Sequence, residues 1–369
     1  MSQAGKLDSN SGFLLYKLRF VTFVLIFGYA FLHVKLTGEY VDANVEQYFN
    51  FSVRLPYGQR LLVPILVWLV HWVLPLQIYE LFFLWEVFFA FLCWWAVYQL
   101  LLMRFKAEMA LLLSWLFILL LPLLYVINYR LTQGINSNVF YAGDTPSLAF
   151  IVLGFYFCWQ KKWWCLYADI AIATLNRESA VLLVLLIPFM HWDEKHTVWR
   201  ETLGALLCYA LIRGIILYFL AGKPGTLVEW YAWGSNTTLF EFNRRWLLEQ
   251  QYLFLFAFCF AGLPLFWFLL RDYIPPQFLP VRFLVLAYFI GLLMVGHVSE
   301  SRIYGEIFSL MYLPVCLGMQ HWCMGNAPYP RSSGIRAFFQ RHGVLLILLA
   351  LVLAYRLINQ SILWLTLLL

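Results

Sequence analysis

The residues of this chain that could do chemistry fall in five short polar segments, and the first is the loop 38–60. It carries three carboxylates, Glu39, Asp42 and Glu46, and two arginines, Arg54 and Arg60. A carboxylate here could deprotonate an acceptor hydroxyl or help to hold a divalent cation, and arginine binds phosphate through its planar guanidinium. A solvated loop with an interfacial helix would explain the same composition. The position directly after the first apolar run favours the functional interpretation.

The second segment places a carboxylate at the start of a predicted helix. Asp144 precedes Pro146 in the sequence Tyr-Ala-Gly-Asp-Thr-Pro-Ser, and an Asp followed closely by a Pro is typical of a helix N-terminus. Asp144 is then a plain helix cap, a carboxylate that orients a ligand, or both. The two roles are compatible, because a capped helix start can also hold a bound group.

The third segment is the strongest single signal. Asn176, Arg177 and Glu178 lie in the middle of the run 163–190, which is otherwise apolar apart from Asp169. An ionisable group at membrane depth costs about 2.5–3.5 kcal/mol or more, so such groups are paired or line a wet cavity. Adjacent side chains on one helix point about 100° apart and cannot pair on one face. The pattern predicts separate partners for the two charges or a break of the helix, with a purely structural polar hinge as the alternative.

The fourth segment, 297–306, joins two apolar runs. Glu300 and Arg302 are two positions apart, Tyr304 follows them, and Glu306 already belongs to the next run. A solvated turn would explain the first two charges, but it would not explain Glu306. We therefore predict that Glu300, Arg302 and Tyr304 contribute to a binding site.

The fifth segment is the loop 222–251, which combines aromatic residues with the adjacent pair Arg244 and Arg245. Aromatic rings can stack on sugar faces, and paired arginines can hold phosphate. An amphipathic helix in the membrane interface has the same composition, and it is the preferred of the two interpretations. Both arginines stay candidates for substrate binding.

The elements that must position these segments are membrane helices. Of 369 residues, 63% are hydrophobic and only 12% are charged, whereas a soluble domain has about 45–50% apolar and about 25% charged residues. Basic residues lie mostly at the ends of apolar runs, so the net charge of +6 does not indicate nucleic-acid binding. The sequence has no Walker loop, dinucleotide-binding motif or zinc-protease motif, which argues against ATP-driven transport, redox chemistry and zinc hydrolysis.

Apolar runs that could cross or nearly cross a bilayer recur along the whole chain. They cover residues 20–36, 61–74, 78–103, 109–127, 146–159, 163–190, 202–220, 252–270, 283–298, 303–320 and 344–369. We predict an all-α, polytopic transmembrane helical bundle of about 10–12 membrane segments, some of them broken or re-entrant. Residues 1–369 are expected to form one integral membrane domain with external loops at 38–60, 128–145 and 222–251.

The distribution of lysine and arginine favours one topology. If the run 61–74 does not cross and the run 163–190 reverses at its polar centre, the basic residues of the connecting loops fall on one side. The positive-inside rule makes that side cytoplasmic, together with the N-terminus. The candidate site residues then gather at the opposite, external side.

This arrangement resembles the bacterial-type membrane glycosyltransferases of the GT-C superfamily. The matching pieces are Asp42 or Glu46 in the first loop, Arg60-Leu-Leu-Val-Pro64, Asp144-Thr-Pro146, Asn176-Arg177-Glu178 and Glu300-Ser-Arg302. Members of the superfamily have many membrane helices, a catalytic acid in the first external loop and a polyprenyl-phosphate sugar as donor. This chain departs from the pattern, because its first loop has no Asp-x-Asp or Glu-x-Asp pair.

The resemblance implies a GT-C-like bundle in the bacterial inner membrane, with membrane lipid around it. The implied reaction moves a sugar from a polyprenyl-phosphate-linked donor to a lipid, glycan or protein acceptor at the external face. Asp42, or else Glu46, would deprotonate the acceptor hydroxyl. Arg60, Arg177 and Arg302 would neutralise the departing phosphate.

The same resemblance gives the remaining acids, Asp144, Glu178 and Glu300, the task of orienting those arginines or binding sugar hydroxyls. Other functions fit these residues as well. A polymerase, ligase or flippase-like protein of lipid-linked glycans would use the arginines on pyrophosphate. A secondary transporter would show paired repeats, and no repeat partner of the run 163–190 is visible. A membrane scaffold subunit is the remaining alternative.

Overall fold

The computed structural model describes residues 4–129, 138–191, 194–232, 235–248, 255, 257–330 and 334–368. Within these residues every regular element is a helix, and extended segments pair only as isolated bridges. The helices are α1 (Ala4–Lys35), α2 (Val45–Phe49), α3 (Leu62–His71), α4 (Ile78–Leu102), α5 (Ala107–Tyr125), α6 (Asp144–Trp159), α7 (Trp163–Asn176), α8 (Val181–Met190), α9 (Lys195–Leu220), α10 (Leu239–Leu248), α11 (Leu263–Leu270), α12 (Val281–Val295), α13 (Gly305–Cys323), α14 (Ile335–Leu353) and α15 (Tyr355–Leu368). The predicted all-α class is confirmed.

Five helices of the described chain are long and apolar enough to cross a membrane. Four lie in α1, α4, α5 and α9, and the fifth, Pro276–Val295, joins a 3-10 turn to α12. The pair α14–α15, bent by 65°, makes a sixth if it is counted as one span. The chain is therefore a multi-pass helical membrane protein. The sequence analysis predicts about 10–12 segments, and the difference lies partly in α3, α6 and α8, which are apolar but shorter than a full crossing.

The apolar run 163–190 is broken, as the sequence predicts. α7 ends at Asn176, Arg177 is extended with φ −160° and ψ 146°, and a 3-10 turn of three residues leads into α8. The two helices form a hairpin, because Trp163 at the start of α7 contacts His191 after the end of α8, with ring centroids 5.6 Å apart. Since Arg177 has left the helix, its direction is not tied to that of its neighbours.

The run 61–74 does not provide a full crossing either. α3 has 10 residues, which span about 15 Å, against a hydrocarbon core of about 30 Å. The start of α3 is fixed to the hairpin, since the amide of Leu61 donates to the carbonyl of Leu175 at 2.8 Å. The loop that precedes α3 is thereby held close to the α7–α8 break.

Charged residues separate to two ends of the bundle. We call one the site end; it holds the end of α1, the start of α6, the α7–α8 break and the start of α13. At the other, the basic end, Lys161 binds Glu194 at 2.6 Å and the rings of Trp159 and Phe278 pack 4.9 Å apart. Other basic residues of this end are Arg104, Lys162, Arg271, Arg282 and Arg341. That the basic end faces the cytoplasm stays a prediction.

Two helices run through the centre of the bundle. α6 is buried continuously from Asp144 to Phe155, and α13 from Gly305 to Gly318. Their first turns are therefore surrounded by protein rather than by lipid. A charge in either turn needs a partner from another helix, because burial without one is costly.

Gly305 permits the close approach of α13 to α5 and α6. A Cβ at this position would lie 1.8 Å from the Tyr125 hydroxyl and 2.9 Å from Leu148. We expect Gly305→Ala to lower the free energy of unfolding by about 1–3 kcal/mol. The control is Gly291→Ala in α12, where no atom lies within 4 Å and the substitution is expected to be neutral or stabilising by about 0.5–1 kcal/mol. Unfolding of the purified protein in detergent tests this, and equal midpoints for the two variants would contradict it.

Candidate functional site

The centre of the candidate site is Arg177, which the break between α7 and α8 releases into the bundle. Its Nη1 atom lies 3.3 Å from Asp144 Oδ1 and 3.3 Å from Glu306 Oε1. The exposed fractions of the three side chains are 6%, 0% and 1%. Buried charges of this kind are stable only when they are paired, because each alone would be strongly desolvated. The group ties α6, α13 and the hairpin together.

A second arginine shares Asp144. Arg302 Nη1 lies 3.5 Å from Asp144 Oδ1, and Arg302 Nη2 donates to Glu300 Oε2 at 2.6 Å. The guanidinium also lies over the Tyr141 ring, 3.7 Å from its centroid. Arg302 belongs to a 3-10 turn directly before α13, and the Glu300 side chain is 18% exposed. A chain of ion pairs thus leads from Glu306 in the core to Glu300 at the edge.

Neutral side chains fix the elements that carry these charges. Asn176 Nδ2 donates to the Gly143 carbonyl at 2.8 Å and to Ser147 Oγ at 2.9 Å. Ser179 Oγ donates to Glu306 Oε1 at 2.8 Å. Asn176 therefore joins the end of α7 to the first turn of α6, and Ser179 joins the turn after the break to α13.

The interpretation of Asp144 as a plain helix cap is wrong. The N-cap of α6 is Gly143, and no side chain caps this helix. Asp144 occupies the first helical position, where the helix dipole favours a carboxylate. Its side chain is turned to Arg177 and Arg302 rather than to the helix amides.

Arg60 lies at the open edge of the network, among aromatic rings. Its guanidinium is 5.3 Å from the centroid of Tyr141 and 5.7 Å from that of Tyr57. Its Nε and Nη1 atoms have no hydrogen-bond partner in the described part of the chain. Glu178, in the turn after the break, is an electrostatic neighbour of both Arg60 and Arg177. An arginine held among rings with unused donors is suited to bind an anion.

Asp42 and Arg54 form an outer rim with Glu229, a residue that sequence reasoning did not single out. Arg54 Nε donates to Asp42 Oδ2 and Arg54 Nη1 to Glu229 Oε1, each at 3.1 Å. Tyr57, which also lies beside Arg60, has its hydroxyl 3.5 Å from Glu229. Burial, and then the charge of Glu229, raise the pKa of Tyr57, which keeps the hydroxyl a neutral donor. The Asp42 side chain is 35% exposed, so its carboxylate is accessible.

Four predicted site residues lie apart from this cluster. Glu46 is exposed on α2, and Tyr304 is buried with its hydroxyl donating to a backbone carbonyl at 3.2 Å. Arg244 and Arg245 both bind Glu241 of their own helix, each at 2.8 Å. The hydrogen bond from Arg244 and, against the effect of burial, the one from Arg245 lower the pKa of Glu241 to about 2. These two arginines are thus occupied locally.

The helix that carries those arginines has a supporting contact with the site. Asn243 Nδ2 donates to the carbonyls of Leu293 and Gly296 at 3.0 and 2.6 Å, and Asn243 Oδ1 accepts from the amide of Val298 at 3.0 Å. This anchors α10 to the end of α12 and to the loop that leads to Glu300. The described part of the loop 222–251 therefore helps to position the site.

A buried network that sequence reasoning missed adjoins the site. His33 Nδ1 lies 2.8 Å from Glu86 Oε1, and Thr145 Oγ1 donates to the same oxygen at 2.5 Å. Tyr29 shares a hydrogen bond of 2.9 Å with Thr145, the residue after Asp144. A signal was present in the sequence, because Glu86 is a carboxylate within the apolar run of α4 and such a residue needs a partner.

The site has an inner and an outer part with different chemical capacities. The inner part, around Asp144, is buried and joined by ion pairs, so it can hold backbone elements in place, while Asp144 Oδ2 and Glu306 Oε2 have no hydrogen-bond partner in the described residues. The outer part contains the buried, unused donors of Arg60 and the accessible carboxylate of Asp42, which are suited to bind an anion and to accept a proton. Within the described residues, no group of three or more His, Cys, Asp and Glu side chains is arranged to hold a metal ion.

Comparison with known proteins adds no family to this geometry. No family model matches the sequence, and no curated protein matches it at a significant level. The support for a function therefore comes from the chemistry of the residues described above.

Arg177 is the charge whose removal we expect to be the most destabilising. Arg177→Met leaves Asp144 and Glu306 buried without their shared partner, and we expect it to lower the free energy of unfolding by about 3–5 kcal/mol. Arg245→Gln is the control, because it breaks an exposed ion pair that contributes about 0.2–1 kcal/mol. Denaturation of both variants in the same detergent measures the difference. Similar losses for the two would show that the inner network does not stabilise the fold.

Proposed function

We propose that the chain is a membrane glycosyltransferase that moves a sugar from a polyprenyl-phosphate-linked donor to a lipid, glycan or protein acceptor. The observation that carries this proposal is the outer part of the site, where the Arg60 guanidinium, with two donors that are unused in the described residues, lies near the rim of Asp42. An anion ligand and a proton acceptor are the groups that this reaction needs. A lipid-linked donor is consistent with a site at one end of a membrane bundle and with the absence of a nucleotide-binding motif from the sequence.

In this proposal Arg60 binds the donor phosphate. Its guanidinium can donate two parallel hydrogen bonds to phosphate oxygens, and Tyr57 and Tyr141 hold it in place. Arg177 and Arg302 are less available, because carboxylates already pair with them. We assign them the task of positioning the loops around the donor rather than of binding it.

Asp42 is the proposed general base. Its carboxylate takes the proton of the acceptor hydroxyl, and the acceptor oxygen forms a bond to the anomeric carbon of the sugar. The bond from that carbon to the phosphate oxygen breaks, and polyprenyl phosphate leaves with the bonding electrons. Arg60 stabilises the charge that develops on the phosphate, while Arg54 orients the carboxylate.

The proposal includes an orientation in the membrane. Lysines and arginines of the connecting loops lie at the end opposite to the site, and such loops remain preferentially in the cytoplasm. Three arginines of the site, Arg54, Arg177 and Arg302, are paired with its carboxylates. The site end then faces the outside of the bacterial inner membrane, where lipid-linked sugars serve as donors in the GT-C enzymes that the sequence resembles.

An assay with a panel of polyprenyl-phosphate sugars tests the base. We expect Asp42→Asn to lower kcat/KM by about 10²–10⁴-fold, since it removes a general base. Glu39→Gln, at an exposed carboxylate of the same loop, is the control and is expected to retain activity. Glu46→Gln tests the second candidate base. Full activity of Asp42→Asn would refute the assignment of Asp42.

A second pair of variants tests the phosphate ligand. We expect Arg60→Met to lower kcat by about 10²–10³-fold, and Arg60→Lys to lower it less, because lysine keeps the charge but not the two-pronged geometry. Arg245→Gln serves as the matched control. If no donor of the panel is used, and proteoliposomes instead take up a labelled solute regardless of Asp42→Asn, the chain is a transporter and the proposal fails.

A further inference from the structure

A cavity at the basic end combines arginines with apolar walls. It has a volume of about 270 Å³ and lies between α11, α12, α13 and α14. Arg271, Arg282 and Arg341 line it together with apolar side chains, among them Phe268 and Leu345. We call it the arginine cavity. Its arginines lie at the basic end, and its apolar lining extends along α13 to Ile307, the residue after Glu306; it contains none of the candidate site residues.

Arg282 is the residue that indicates a ligand. It is only 8% exposed, and its Nε and Nη2 atoms have no hydrogen-bond partner in the described residues. Burying a guanidinium with unused donors is costly unless an anion accepts their hydrogen bonds. Its guanidinium carbon lies 4.7 Å from the centroid of the Phe283 ring, and an aromatic ring cannot replace an anion.

The other arginines add to the positive charge of the cavity. Arg271 Nη1 donates to the backbone carbonyl of Arg341 at 2.6 Å, which brings α14 to the mouth of the cavity. One carboxylate, Asp272, lies 3.8 Å from Arg271 Nη2. Three arginines therefore contribute to the lining of one space, and a ligand with negative charge complements them.

The apolar walls indicate that this ligand has lipid character. Phe268 is 77% exposed and Leu345 is 56% exposed on the outer surface of the bundle. In a membrane protein such side chains contact acyl chains, so the cavity is continuous with the lipid-facing surface. A free anion would use the arginines but would leave the apolar walls unoccupied.

We propose that the arginine cavity binds an anionic phospholipid from the leaflet at the basic end. The phosphate group accepts hydrogen bonds from Arg282 and Arg271, and the upper part of an acyl chain packs on the walls beside Phe268. Basic pockets between membrane helices are suited to such headgroups. The bound lipid joins α11, α12 and α14, so it stabilises this corner of the bundle whether or not the chain transfers sugars.

The experiment compares phosphatidylglycerol with phosphatidylcholine, each added to the full-length protein in a neutral detergent. Native mass spectrometry measures retention of the lipid, and thermal unfolding measures stabilisation. We expect phosphatidylglycerol to bind and to raise the unfolding temperature, and Arg282→Met to weaken its binding by about 10–100-fold. Arg104→Gln, at the same end but outside the cavity, is expected to bind as the unchanged chain does.

Two further measurements keep the outcome decisive. In phosphatidylcholine alone, Arg282→Met is expected to unfold at the same or a higher temperature than the unchanged chain, because it removes a buried unpaired charge. If this variant does not fold, Arg271→Gln replaces it and is expected to weaken lipid binding as well. Equal responses to the two lipids, or competition by inorganic phosphate as effective as that by phosphatidylglycerol, would overturn the proposal.

Discussion

The burial of Asp144 is the constraint on which the site depends. A carboxylate that is wholly inside a membrane bundle persists as a charge only with a cationic partner at close range. Asp144 has two partners, Arg177 from the hairpin and Arg302 from the turn before α13. Both come from places where the helical backbone is interrupted. The interruptions are therefore not defects of the bundle, because they allow long side chains to converge on the start of α6.

The same constraint explains how the site is layered. Ion pairs that are fully desolvated can be strong only if their geometry is fixed, and the neutral side chains of Asn176 and Ser179 fix it through hydrogen bonds. Toward the surface the carboxylates become more accessible, while unpartnered atoms occur in the core as well, at Asp144 Oδ2 and Glu306 Oε2. Glu300 is partly exposed, Arg60 has unused donors, and Asp42 is accessible. A catalytic or binding site needs a rigid inner part and accessible groups in its outer part.

Part of this arrangement could be predicted from the sequence, namely where the charges concerned are neighbours along the chain. Arg177 and Glu178 are neighbours in an apolar run, so helix geometry predicts either separate partners for the two charges or a break of the helix, and the structure has the break. The place of the loop lysines and arginines at the basic end follows in the same way from the order of the apolar runs along the chain. Pairing between distant elements does not follow from positions along the chain. Nothing in the spacing of Asp144 and Arg177, 33 positions apart, shows that they meet.

Two predicted site residues pair within their own helix. Arg244 and Arg245 are candidates for substrate binding from the sequence, although Glu241 precedes them by three and four positions, which is the spacing of helical ion pairs. The opposite error concerns Glu86. A carboxylate in the middle of an apolar helix needs a partner. The partner, His33, lies on another helix and could not be named from the sequence.

The first turn of α6 is where these two buried networks meet. Asp144 faces the arginines, and the next residue, Thr145, donates to Glu86. Through Thr145 the site is tied to His33 on α1 and to α4, two helices long enough to cross the membrane. Both helices therefore help to position the carboxylate of Asp144, although none of these hydrogen bonds joins either helix to Asp144 itself. Asp42 lies in the loop that follows α1. The helix that supports the inner part of the site therefore also leads into its outer part. The membrane-spanning framework thus positions the site through buried polar contacts as well as through apolar packing.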